Sequence, residues 1–116
     1  MAIFELSKTF PREEQYSLTN QIRRSSRSVC SNITEAWRKR RYEGSFVSKL
    51  ADADGEAAET QTWLEYVVAC KYAPRDQIVD LYRQYNGILR TLVGMITNCE
   101  KWVMPTPPKR STRPRQ

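Results

Sequence analysis

From Tyr16 to Trp37 the apolar residues Leu18, Ile22, Val29, Ile33 and Ala36 or Trp37 recur three and four apart, with Ser25 or Ser26 filling the one vacant slot. That spacing is the period of an amphipathic helix, because residues three and four apart share a face. At about 100° per residue, Arg23, Arg24, Arg27 and Arg38 project from the opposite side. One helix therefore carries an inner seam and a basic outer face, followed at once by the run Arg38-Lys39-Arg40-Arg41.

The same period organises the rest of the chain. Ala2 to Phe10 offers Ile3, Phe4, Leu6 and Phe10 and predicts a short first helix. Pro11 ends it, since the residue before a proline is pushed out of the helical region. Arg12-Glu13-Glu14 is expected to open the second helix, with its acids near the positive end of the helix dipole. Tyr42 to Lys71 predicts a third helix on Phe46, Leu50, Ala53, Ala57, Thr60, Leu64 and Val67. After a short turn at Tyr72-Ala73-Pro74, Arg75 to about Trp102 predicts a fourth, on Ile78, Leu81, Tyr85, Ile88, Leu92, Met95 and Cys99. A second apolar row on that helix, Tyr82, Leu89, Val93, Ile96 and Val103, exceeds what one neighbour needs. It implies several surrounding helices or a face left for self-association. Gly55 is expected to have a packing reason for its place inside a helix, and Gly87 and Gly94 are expected to permit close helix contact. Short turns favour antiparallel neighbours. The expected fold is all-α, an antiparallel up-and-down four-helix bundle over residues 1–103, with 104–116 a disordered, proline-rich basic tail.

Charge sharpens this picture. The net charge is +6, and between Arg23 and Arg41 seven basic residues face one acid, Glu35. The tail adds Lys109, Arg110, Arg113 and Arg115 without an acid, whereas the remainder holds eight basic residues against twelve acids. Such segregation suits an anionic partner, nucleic acid or an acidic protein surface; a solvated helix face is the plainer alternative. Trp37 and Tyr42 bracket the basic run, and an aromatic beside arginines can stack on unpaired bases. Trp37, at the edge of the apolar face, is equally a core or interface residue.

Catalytic chemistry finds little support. There is no histidine, so the commonest general base and metal ligand are missing. Cys30, Cys70 and Cys99 fit no zinc spacing, and the four glycines form no phosphate-binding motif. Asp52, Asp54, Glu56 and Glu59 are the one carboxylate cluster, but a di-metal bundle also needs Glu-x-x-His. Salt bridges to the second helix, or solvation, account for these acids better. No enzyme, metal or cofactor is expected. The polar start and the lack of any apolar run near about 20 residues lead to the expectation of a cytoplasmic chain with reduced thiols.

The residues Phe10-Pro11, Glu14, Tyr16, Leu18, Gln21-Ile22-Arg23-Arg24-Ser25, Ser28, Ser31-Asn32-Ile33, Glu35-Ala36, and then Phe46 to Leu64 with Glu59-Thr60-Gln61 and Cys70-Lys71-Tyr72, resemble the "four helix bundle protein" family. That family includes bacterial proteins encoded within intervening sequences of large-subunit (23S) ribosomal RNA genes. The resemblance covers Ile3 to Cys99 and implies an up-and-down bundle assembling as a homopentamer. It further implies likeness in fold to the accessory protein of diversity-generating retroelements, a basic pentamer that binds nucleic acid and a reverse transcriptase. The family's arginine pair falls on Arg23 and Arg24, and its Asn-x-x-Glu on Asn32 and Glu35, expected to serve packing. Two departures stand out. The first helix is short, about 12 Å at 1.5 Å per residue, which implies a start further upstream or an open groove to be covered by another subunit. Trp37 stands where the family commonly has Gly, and the run after it is denser in cations.

The functional expectation is a non-enzymatic oligomeric bundle whose Arg23, Arg24, Arg27, Arg38, Lys39, Arg40 and Arg41 bind RNA or DNA, as an accessory or scaffold for a nucleic-acid enzyme. The alternative is a protein–protein assembly module whose arginines pair with acids such as Glu56 and Glu59 across helices or subunits.

Overall fold

A computed structural model of the chain describes residues 1–104. Four α-helices follow in order: α1 (Ala2–Ser7), α2 (Leu18–Arg38), α3 (Glu43–Ala69) and α4 (Arg75–Thr97). Single turns of 3-10 helix lie at Arg12–Glu14 and Cys99–Lys101. Among the described residues there is no strand, and the fold is an all-α four-helix bundle with a short first helix. The basic tail, 105–116, lies outside the described residues; Met104 lies within them and donates its N–H to the Arg40 carbonyl at 2.9 Å.

Helix ends depart from expectation in physically legible ways. The chain ahead of Pro11 tightens rather than continuing α1: Lys8, Thr9 and Phe10 each bond three residues back. Arg12 to Glu14 do not open α2 but form their own turn, and Ser17 leaves the helical region (φ −125°, ψ −101°) before α2 begins at Leu18. α4 ends at Thr97 rather than near Trp102, and the chain to Trp102 rewinds as the second 3-10 turn. Between α3 and α4 the chain reverses on Lys71, at φ 59°. Tyr72 N–H reaches the Val67 carbonyl at 2.9 Å and Lys71 N–H the Val68 carbonyl at 3.0 Å. This is the paired closure of a Schellman turn, here with lysine in the left-handed position usually held by glycine.

The core forms two layers along the long helices. The first joins Ile3, Leu6 and Phe10 of the α1 segment to Leu18, Ile22, Leu64 and Ile78. The second joins Ala36 at the end of α2, Phe46 and Leu50 at the start of α3, and Leu92 late in α4. The end of one helix thus meets the start of the next, the arrangement of an up-and-down bundle. Every predicted seam residue of α3 from Phe46 to Val67 is buried. Ser25 fills the vacant slot in the α2 seam, fully buried, with its hydroxyl 2.8 Å from that of Thr60. That pair and the Gln61 amide, which donates to Asn86 Oδ1 (2.8 Å) and to the Tyr82 carbonyl (3.1 Å), pin α3 against both neighbours.

The glycines do not serve the expected purpose within the chain. A Cβ at Gly55 or Gly94 would meet nothing within 4 Å, and one at Gly87 only the Arg90 guanidinium at 3.9 Å. Of the second row on α4, Val93 is exposed while Tyr82, Leu89, Ile96 and Val103 are partly covered.

Candidate nucleic-acid interface

The seven predicted basic residues divide into two groups. Arg23, Arg24 and Arg27 border one shallow hollow on the outer side of α2, together with Asn20, Ser28 and Ser31. Arg38 ends α2, and Lys39, Arg40 and Arg41 make up the turn into α3. From Arg27 to Arg38 the helix rises about 16 Å at 1.5 Å per residue. The helix wheel places all the arginines of α2 on one side; the length of the helix separates them.

The first group is engaged by the chain itself. Arg23 Nε donates to Ser7 Oγ at 2.6 Å, and the Ser7 hydroxyl in turn donates to the Phe4 carbonyl at 2.7 Å. The Phe4 ring lies between cations, with the Arg23 and Arg27 guanidinium carbons 4.6 and 5.5 Å from its centroid and Lys8 Nζ at 5.1 Å. Contacts of this kind contribute about 0.5–1 kcal/mol at exposed positions, and they dock α1 onto α2. Arg24 is held differently: it donates to Glu56 Oε2 at 3.2 Å and also to Glu59. Its hydrogen bonds to Glu56, first, and to Glu59 push the Arg24 guanidinium above its already high ordinary pKa. Two of the four clustered carboxylates are therefore partners of a cation, and Asp52 stands 4.0 Å from Lys49. Among the described residues no three His, Cys, Asp or Glu side chains gather where a metal ion could be held.

Where α1 begins, an open groove of about 430 Å³ runs between α2 and α4, lined by Met1, Ile3, Phe4, Arg27, Cys30 and Tyr85 among others. Burial raises the Tyr85 hydroxyl above its ordinary pKa. This is the groove expected beside a short first helix.

The second group sits at the tip of the bundle. Arg38, Lys39 and Arg41 are exposed, and among the described residues none of the four tip cations makes an ion pair. Arg40 folds back so that its guanidinium carbon lies 3.5 Å from the Trp37 ring centroid, while its Nε donates to the Trp37 carbonyl at 3.0 Å. The nearest acids have other partners: Glu35 takes Lys49 at 3.1 Å, and Glu43 accepts the Cys99 thiol proton at 3.5 Å. Partial burial and the Glu43 carboxylate push that thiol up, so it is not an activated nucleophile.

The periodicity of the sequence did not show one participant. Trp102, 65 residues from Trp37 in the chain, stands with its ring centroid 6.4 Å from that of Trp37, edge-on at 62°. Its position depends on the turn after α4, which no helical pattern specifies.

A family model described as 23S rRNA-intervening sequence protein matches residues 1–94. Among solved structures, one similar chain is a protein of unknown function from the S23 ribosomal protein family of Bacteroides thetaiotaomicron VPI-5482, determined at 1.70 Å. It is 31% identical, the match covers 84% of this chain and 90% of that one, and the TM-score is 0.75. No curated protein matches. No helix among the described residues is long and apolar enough to cross a membrane.

Proposed function

We propose, starting from the fact that this chain belongs to the 23S rRNA-intervening sequence protein family, that it is a non-enzymatic bundle that binds nucleic acid through the cation-rich turn between α2 and α3. One observation carries this reading: Arg38, Lys39, Arg40 and Arg41 are consecutive, stand at one end of the bundle, and form no ion pair among the described residues. Cations without acidic partners are available to phosphates, and their binding releases counterions. Arg23 and Arg27 lie further along the same helix and act as a secondary contact, while Arg24 is spent on Glu56 and Glu59. The second hypothesis, an assembly module, draws its support from that Arg24 pairing. The two are compatible in a homo-oligomer, a pentamer on the family resemblance, built over the half-covered face of α4 at Leu89, Val93 and Ile96.

The test is equilibrium binding of RNA and DNA across a salt series. Four phosphate contacts give a log–log slope of about −3 to −4, and replacing Arg38, Lys39 and Arg41 by Glu removes most of it. Binding indifferent to salt, or to that triple change, would overturn the reading.

A further inference from the structure

The tip holds more than charge. Trp37 and Trp102 remain 47% and 40% exposed beside four cations, although the core layer beneath them, Ala36, Phe46, Leu50, Ala53 and Leu92, closes without them. Large aromatics left at a surface are costly in water, and the contacts these two make cover them only in part. Arg40 covers one face of Trp37, and the indoles meet edge-on rather than stacked. Each ring nevertheless keeps 40% or more of its surface exposed.

The arrangement is also held in place. Trp102 N–H bonds to the Cys99 carbonyl at 2.9 Å, closing the 3-10 turn that carries it. Two residues on, Met104 N–H bonds to the carbonyl of Arg40. The segment bearing Trp102 is therefore laced to the turn bearing the cations.

We infer that Trp37, Trp102 and the Arg40 guanidinium form a stacking platform for unpaired bases, so that the tip takes single-stranded rather than duplex nucleic acid, with Arg38, Lys39 and Arg41 on the flanking phosphates. The inference rests on the nucleic-acid reading above and narrows it to one substrate class. Base faces are open to an indole only where a strand is unpaired, because a duplex turns them inward onto one another. Every base has such a face, so the platform selects strandedness and not sequence. The guanidinium lying on Trp37 extends the stack, as arginine planes do beside bases. A short turn with two blunt helix ends presents no helix flank to a major groove, which is the route of duplex readers.

The experiment uses the full chain with oligo(U), oligo(dT) and an RNA duplex, each of about 12 nucleotides per strand, at about 50 mM salt. Binding is read by anisotropy and by indole quenching, and oligomeric mass by light scattering. The expected result is preference for both single strands over the duplex, with quenching. Trp37→Ala and Trp102→Ala each weaken single-strand binding about tenfold and leave the salt slope and duplex binding unchanged. Arg40→Lys keeps the charge, so it preserves the slope and loses affinity. A melting curve for each variant confirms that it folds, and Trp63→Phe, distant from the tip, serves as the control that binds normally. A preference for oligo(U) over oligo(dT) assigns the strand as RNA; equal binding assigns both.

Single-strand binding untouched by either Trp substitution overturns the platform while sparing the cationic reading. Equal losses on duplex and single strand overturn it as well. So does a change in oligomeric mass with Trp37→Ala at constant affinity, since the indoles then face a second copy of the chain. Failure of the wild-type chain to bind any of the three overturns both this inference and the proposed function.

Discussion

The two basic stretches, one along α2 and one at its end and in the turn that follows, have similar compositions and opposite fates. Under α1, Arg23 and Arg27 lie against Phe4 and Arg24 takes two carboxylates of α3, so the guanidinium groups act as fasteners between helices. At the tip, Arg38, Lys39 and Arg41 make no ion pair among the described residues. Charge alone therefore says little about role. What decides it is whether a second element passes within reach, and α1 and the middle of α3 do so at one stretch only.

The comparison can be broken most severely through the tip core. Phe46 is fully buried beneath the α2–α3 turn, and Phe46→Ala should cost about 3–5 kcal/mol in urea unfolding, with loss of tip binding before global unfolding. A tip that still binds normally at that cost would mean that its geometry does not depend on the layer below.

A sharper contrast sets Arg24→Ala against Arg38→Ala. Arg24 is partly exposed, so its loss should cost only about 1 kcal/mol, and the salt slope of nucleic-acid binding should not move. Arg38→Ala should leave the melting temperature within error and lower the slope by about 1. Matching behaviour in the two variants would erase the division drawn here.

Gly55 faces open space on the outer side of α3, so Gly55→Ala should stabilise the bundle by about 0.5–1 kcal/mol. A fall in oligomeric mass instead would show that a second copy approaches the helix there.

The smallest effect concerns the end opposite the tip. Glu14 accepts from the Ser17 hydroxyl at 2.6 Å, the Tyr72 hydroxyl at 2.7 Å and the Leu18 N–H at 3.3 Å. These bonds, Ser17 first, hold its carboxyl below the ordinary value of 4.5, and the same contact raises the Tyr72 hydroxyl. A carboxylate with a lowered folded pKa binds protons more tightly when unfolded. Its contribution is therefore present above pH 4.5 and lost as pH falls through the folded value. Glu14→Gln should flatten the acid limb of a stability–pH curve. An unchanged acid limb in Glu14→Gln would remove Glu14 from the account.

Much of the fold was legible in spacing. The seam residues of α3, and Ser25 in the slot left between Ile22 and Val29, are where the period puts them. Periodicity was blind where the chain is not helical: the separate turn at Arg12–Glu14, the early end of α4 at Thr97 and the left-handed Lys71 all depend on local backbone bonds. Gly55 misled because an exposed glycine and a packed one look alike in a sequence. Of the candidate site, the cations were readable, and so were Glu56 and Glu59 as acids for an arginine to pair with, whereas Phe4 and Trp102 as neighbours of those cations were not.

By itself, then, the sequence determined an all-helical bundle, the inward face of each helix and the segregation of charge, because these follow from a period of 3.6 residues and the burial of apolar surface. Only the tertiary structure decided which arginine, Arg24, takes Glu56 and Glu59, that Phe4 lies among three cations, and that Trp102 returns to Trp37 and Arg40. Those meetings join residues from different helices and turns. They are set by how far each helix slides along its neighbour and by how each turn closes, and no repeat within a single segment encodes either.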